Sequence, residues 1–334
     1  MLRLIDQSPP GHLGALAAAG ALGYIGNLIA AGVRTTRHPL VPALRARFAA
    51  GCEVPARHLH GVGPPGEAAV IHSLLMPAWT ARHYGVKVVN VAPGNAALGL
   101  PAVHGVYALF DAATGVPLAL IDGDELTARR TVAASALAAS YLARADARHL
   151  LVVGAGRLAR LLPEAYRVVR PIDRVTVWAR RPEAAAELAA RWRAAGLDAD
   201  AATDLDAAVA SADVVSCVTL ATEPLVRGRW LRPGSHLDLI GGFTPEMREA
   251  DDEAFAGAAI HVDTEEALHK SGDLLGPLAR GVFAAADLRG TLAALVRGEA
   301  GGRRTPQERT VFKSVGSALE DLAAAVLVVE LGAQ

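Results

Sequence analysis

The chain has 334 residues, enough for two domains of ordinary size or one large one. Hydrophobic residues make up 52% and aromatic residues only 4%, so the core must be built mostly of Ala, Leu and Val. A net charge of −1 argues against a nucleic-acid surface and points to a small-molecule partner, while two distant cysteines, Cys52 and Cys217, indicate neither a disulfide framework nor a zinc site and fit a reducing cytoplasm.

In chain order, residues 13–33 ("LGALAAAGALGYIGNLIAAGV") come first. They carry no charge and have the length of a membrane span, but five glycines and an Asn dilute them toward a soluble element. No membrane contact is expected. "VKVVNV" (86–91) predicts a strand, and "HGVYALFDAATGVPLALID" (104–122) predicts two more joined at the glycine of "AATG". An Ala-rich helix follows over Thr127 to Ala143. From residue 149 strands and helices alternate. "HLLVV", "RVTVW", "DVVSCV", "SHLDLI" and "AIHV" are strands; "RLARLLPEAYRVV", "PEAAAELAARWRAAG" and "DLDAAVASA" are helices. That alternation means βαβ units and a parallel sheet, and continuous apolar strands mean burial on both faces. Pro163 falls inside its predicted helix, where it should kink the chain. After the glycine-rich "EAGGRRTP" (299–306), a strand and an amphipathic helix are read as returning to the first domain.

The motif "VVGAGRLA" lies between a strand and a helix, with Gly154 for a tight turn, Gly156 for close approach of a pyrophosphate, and Ala159 for helix–strand packing. It predicts a dinucleotide site. At the end of the second strand, where an NAD site usually places Asp or Glu, stand Ala179, Arg180 and Arg181. Two guanidiniums suit a 2′-phosphate, so NADP(H) is preferred over NAD(H). Outside that region, Arg57, Lys87 and Arg130 are cations able to hold a small carboxylate. Spacing alone makes them three separate surface charges, although Lys87 is out of place in an apolar strand. His104 is more in keeping with a structural role. In "HLDLIGGFTPE", Gly241 and Gly242 suggest a backbone that something approaches closely.

With these residues assembled, the chain resembles the ornithine cyclodeaminase/mu-crystallin family. The similar blocks include "VPAR", "VKVVNVAPGN", "GLPAVHG", "LIDGDELTARRTVAAS", "VVGAG", "WLRPGSHLDLIGGFTPEMREAD", "SGDLLGPL" and "TVFKSVGSALEDLAAA". The resemblance implies an α/β fold, with a Rossmann-type doubly wound parallel sheet inserted into an α+β substrate and dimerisation domain. The expected division is 1–128 for the first part of the substrate domain, 129–308 for the NAD(P)-binding domain and 309–334 for the returning segment. It also implies a homodimer and a set of residue roles. Arg57, Lys87 and Arg130 match residues that hold the substrate carboxylate by the reacting carbon. Thr219 matches a cofactor residue, and Ile240 and Gly241 join the cofactor set. Ser314 and Val315 match the segment that closes over nicotinamide and substrate. Arg157 and Leu158, in the glycine-rich loop, depart from the usual residues there.

The cyclodeaminases of this family carry "GGD" where this chain has "GGF", and Phe243 can neither accept nor donate a proton. The resemblance therefore implies a reductase of cyclic imino acids, Δ1-pyrroline-2-carboxylate or Δ1-piperideine-2-carboxylate, yielding proline or pipecolate. The alternatives are an ornithine cyclodeaminase, with Asp238 as a substitute acid; an alanine-type amino-acid dehydrogenase; and an NADPH-dependent ligand-binding protein. No metal is expected.

Overall fold

A computed structural model describes residues 3–5, 39–64, 66 and 69–332. The uncharged stretch 13–33 lies outside the described residues. Among those described, no helix is long and apolar enough to cross a membrane. The chain divides into two compact units, residues 1–130 with 317–334, and residues 131–316.

The first unit is built on a six-stranded sheet. Its strands are β1 (Arg3–Ile5), β2 (His58–Val62), β3 (Ile71–Trp79), β4 (His83–Val91), β5 (Val103–Asp111) and β6 (Pro117–Asp122), in the order β1-β6-β5-β4-β3-β2. β1 pairs parallel to β6, and the other pairs are antiparallel. The hairpin predicted at 104–122 is β5 and β6, with Gly115 at φ +72° in its turn. Opposite residues Met76, Lys87, Tyr107 and Ile121 form one buried row across four strands. The Tyr107 ring lies over Gly85, where any Cβ would overlap it. Helix α1 (Leu40–Ala50) and the C-terminal helix (Ala318–Gly332) pack together, and the latter also covers β3 to β6.

Helix α2 (Gly123–Leu142) carries the chain into the second unit, starting one turn earlier than the sequence suggested. Here β7 (His149–Val153), β8 (Arg174–Trp178), β9 (Asp198–Ala201), β10 (Val214–Cys217), β11 (His236–Leu239), β12 (Ala259–Val262), β13 (Gly290–Thr291) and β14 (Thr310–Lys313) form one sheet. Its order is β13-β12-β14-β11-β10-β7-β8-β9, and its pairs are all parallel. Strands β7, β10, β11, β12 and β14 are buried throughout, in keeping with their largely apolar sequences. The helix after β7 is shorter than expected. A 3-10 turn, Ala159–Leu161, precedes α3 (Leu162–Arg167), which places Pro163 in the first helical turn. There its missing N–H costs that helix no hydrogen bond, and the predicted single helix is instead divided just before the proline. Helix α4 (Pro182–Ala194) buries Ala185, Leu188, Ala189 and Trp192, an i, i+3, i+4, i+7 stripe.

The observed boundaries differ from those expected at 128/129 and 308/309. β14 is a central strand between β11 and β12, so the chain leaves the second unit only after Gly316. A four-residue strand followed at once by a helix does not reveal from sequence which sheet it joins.

Candidate active site

In the first unit, β4 presents Lys87 from its middle, α2 presents Arg130, and the C-terminal helix presents Glu320 and Asp321. Lys87 Nζ lies 2.7 Å from Asp321 Oδ2 and 3.3 Å from Thr127 Oγ1. Arg130 donates through Nε to Asp321 Oδ1 at 2.9 Å and through Nη1 to Glu320 Oε2 at 2.7 Å. All four charged residues are at most 6% exposed. Two cations and two carboxylates thus form one balanced, buried cluster, because none could be held there unpaired. Burial drives the Lys87 ammonium below its ordinary value; Asp321 opposes this, and Arg130 adds to it. Burial pushes the Asp321 carboxyl up, but Lys87 and Arg130 together outweigh it and hold it below the usual carboxylate range. An oriented guanidinium beside an ammonium of lowered pKa suits the binding of a small carboxylate and proton donation next to it.

The reading of these cations as separate surface charges is therefore overturned for Lys87 and Arg130. Arg57 is half-buried on the segment entering β2, and His104 is exposed on β5 opposite Asn90. Glu320, Asp321 and Thr127 escaped the sequence reading. Their signal was an acid pair within a helix otherwise apolar except for Glu330 near its end, where a charge needs a partner just as Lys87 does.

In the second unit the remaining candidates collect at one edge of the sheet, directly after the carboxyl ends of strands. Gly154, Gly156, Arg157 and Leu158 follow β7; Arg180 and Arg181 follow β8; Thr219 follows β10; Ile240, Gly241 and Phe243 follow β11; Ser314 and Val315 follow β14. The strand order reverses between β7 and β10, and ligands of open α/β sheets bind in the crevice at such a switch point. Gly154 has φ +119°, and a Cβ on it would sit 2.9 Å from the Val218 carbonyl, so only glycine fits this turn. Gly156 is exposed and would have no atom within 4 Å of a Cβ, leaving the clear approach that a dinucleotide pyrophosphate needs. Arg180 and Arg181 are exposed, and no acid stands between Trp178 and Pro182. These residues fit a nicotinamide nucleotide.

The two glycines before Phe243 have an internal cause. A Cβ on Gly241 would overlap the Thr219 carbonyl, and one on Gly242 would overlap the Asp273 carboxylate. The close approach is thus made by the chain's own groups. Gly241 N–H donates to Glu249 Oε2 at 2.7 Å. Phe243 itself is 47% exposed. Asp238 is buried and accepts from Ser135 (3.0 Å), Ser216 (2.6 Å) and Tyr166 (2.8 Å). Three hydroxyl donors occupy it inside the sheet, so the geometry makes it a structural acid and not a substitute for the missing one. Asp263 accepts from Val315 N–H at 2.8 Å and Gly316 N–H at 2.6 Å, fixing the turn after β14.

A sequence profile of the ornithine cyclodeaminase/mu-crystallin family matches residues 69–333. The chain is 46% identical over 264 residues to the Delta(1)-pyrroline-2-carboxylate reductase of Paracoccus denitrificans (strain Pd 1222), covering 78% of this chain and 82% of that protein. Among solved structures, Thermococcus litoralis Delta(1)-pyrroline-2-carboxylate reductase in complex with NADH and L-proline matches with a TM-score of 0.81 and 33% identity. That match covers 88% of this chain and 92% of the other. An archaeal alanine dehydrogenase dimer with bound NAD also matches at 0.81, with 30% identity over 88% of this chain and 91% of its own.

Proposed function

The chain belongs to the ornithine cyclodeaminase/mu-crystallin family, and from that premise we propose that it is an NAD(P)H-dependent reductase of cyclic imino acids, converting Δ1-pyrroline-2-carboxylate or Δ1-piperideine-2-carboxylate to proline or pipecolate. The observation that carries this reading is the buried pair Lys87 and Arg130, oriented by Asp321 and Glu320. Arg130, with Arg57, holds the substrate carboxylate, as bidentate guanidinium contacts do. Lys87 helps to hold it and delivers the proton that the imine nitrogen acquires on becoming an amine; burial lowers its pKa, which eases that donation.

A bound nicotinamide nucleotide would supply the hydride that the imine carbon gains. Gly154, Gly156, Arg157 and Leu158 would hold its pyrophosphate, with Thr219, Ile240, Gly241 and Ser314 around the nicotinamide half. Arg180 and Arg181 favour NADPH, because two exposed guanidiniums replace the acid that would repel a 2′-phosphate. Phe243 and Val315 line the substrate. The protein is proposed to act as a cytoplasmic homodimer.

Phe243 sets this reading apart from an ornithine cyclodeaminase, and the alanine dehydrogenase likeness makes pyruvate a second substrate to test. The deciding assay offers both cyclic imines, ornithine, and pyruvate with ammonia, each with NADH or NADPH (NAD with ornithine). Oxidation of reduced nucleotide by a cyclic imine, with little ammonia from ornithine, is the expected result. Robust ammonia release without imine reduction overturns it.

A further inference from the structure

Three neighbouring strands, β10, β11 and β14, end at the proposed nucleotide edge, and one buried network of charges ties their exits together. Glu249, fully buried, accepts at Oε1 from Thr219 N–H (2.6 Å) and Thr219 Oγ1–H (2.8 Å), and at Oε2 from Gly241 N–H (2.7 Å). Thr219 follows β10 and Gly241 follows β11. The backbone N–H of Glu249 donates to Asp273 Oδ1 at 2.7 Å. Asp273 lies on helix α5 (Gly272–Ala279, the second helix after β12) and faces Lys313 Nζ at 3.2 Å. Lys313 is the last residue of β14, next to Ser314. Glu249, Asp273 and Lys313 are all 0% exposed. No step of the proposed reaction uses them.

We propose that Glu249 is a positioning residue for the nucleotide: its ionised carboxylate holds the loops after β10 and β11 in the geometry that receives the cofactor. The inference rests on the assignment of this edge to a nicotinamide nucleotide. Its logic is one of donors and acceptors. The ionised form accepts on both oxygens and secures Thr219 and Gly241 together. A protonated oxygen turns an O–H toward one of those donors, and that strap opens. Glu249 and Asp273 share one buried ammonium here with Asp238 and Asp263, so the network readily keeps a proton. Burial raises Glu249 from its ordinary 4.5 to about 7, with Lys313 opposing and Asp273 reinforcing the rise. The other titratable group facing it is Cys217 at the end of β10, whose thiol burial pushes well up, so it remains neutral. Asp238 on β11 is already committed to three hydroxyls.

Binding of NADH, followed by fluorescence titration from pH 5.5 to 8.5, tests the proposal. NADH is the probe because a 2′-phosphate would itself titrate near ~6. The unmodified protein should bind NADH roughly tenfold more tightly above pH 7 than at pH 5.5, the effect of one charged hydrogen bond. Glu249→Gln, with an amide permanently facing Gly241, should bind weakly at every pH, matching the low-pH value of the unmodified protein. Its KM for NADH should rise about as much, with kcat at saturating NADH within about twofold, a split that a general loss of folded protein does not produce. Glu249→Asp should restore part of the pH dependence. Wild-type affinity and pH profile in Glu249→Gln overturn the proposal. Should that variant fail to fold, a pH-independent NADH affinity in the unmodified protein overturns it equally. If the unmodified protein binds neither NADH nor NADPH at any pH, the nucleotide assignment falls, and this inference with it.

Discussion

Phe243 follows two glycines whose packing leaves no freedom in the backbone. The Thr219 carbonyl and the Asp273 carboxylate fill the space beside Gly241 and Gly242, and Phe243 N–H donates to the Gly241 carbonyl at 2.9 Å. The side chain at 243 can therefore change chemistry without the turn changing shape. If Phe243 lines the substrate as proposed, an aspartate there would bring a second carboxylate to a ligand that already carries one. Like charges about 6–8 Å apart repel by about 2–3 kcal/mol at an effective dielectric near 20. Phe243→Asp should accordingly lower kcat/KM for a cyclic imine by roughly ten- to hundredfold, and should raise ammonia release from ornithine above that of the unmodified protein. Steady-state kinetics on both substrates check this; unchanged imine reduction would place Phe243 away from the substrate. The apolar residue at this position was legible in the sequence, as was Lys87, a charge in an apolar strand. Its partners were not. Asp321 lies 234 residues further along the chain, and only the packing of the C-terminal helix on the sheet brings it to Lys87.

The parallel sheet was readable because most of its core strands are short, largely apolar runs in a chain that alternates strands with helices, and each run so read became a strand. The antiparallel sheet was read only in part. β4, β5 and β6 alternate and turn at a glycine, whereas β2 ("HLHGV") is exposed along its length and β3 contains Pro77, so neither carries the usual signature. The assignment of β14 failed for a related reason: its partners β11 and β12 are distant in sequence, and "TVFK" reads the same in any sheet. Strand ends, in contrast, predict function. The exit of β8 carries Ala179, Arg180 and Arg181 on an exposed turn into α4, where substitutions disturb little packing. Ala179→Asp combined with Arg180→Ser installs the acid that binds a ribose 2′-hydroxyl and removes one cation from the 2′-phosphate. Calorimetric titration should show NADPH preferred by the unmodified protein and NADH by the double variant, each preference about tenfold or more, as expected for a charged contact. Tighter NADH binding before any substitution refutes this assignment of the two arginines.

Across the whole molecule, buried titratable groups set how stability responds to pH, and they act in opposite directions. His236, His149 and His261 are depressed, chiefly by burial, which favours their neutral form. Stability that depends on them is present above their unfolded value near 6.5 and is lost as pH falls below it. Glu249 runs the other way. Its folded value of about 7 lies above an unfolded value of 4.5, so its contribution is complete below 4.5 and disappears as pH rises through 7. At 1.36 kcal/mol per unit, the loss is up to about 3 kcal/mol. A comparison with Glu249→Gln isolates it, because both proteins carry the same histidines. In urea unfolding of the nucleotide-free protein, the stability of the unmodified chain relative to Glu249→Gln should fall by up to about 3 kcal/mol between pH 4.5 and 8, with most of the change complete by pH 7. A difference that stays flat would mean that Glu249 does not titrate in this range. The form that weakens the free protein is also the form proposed to complete the nucleotide edge, so ligand linkage must oppose the trend. A fixed concentration of NADH should raise the unfolding midpoint more at pH 8 than at pH 6, since stabilisation grows with the ratio of ligand concentration to Kd. An equal shift at both pH values would separate the titration of Glu249 from cofactor binding.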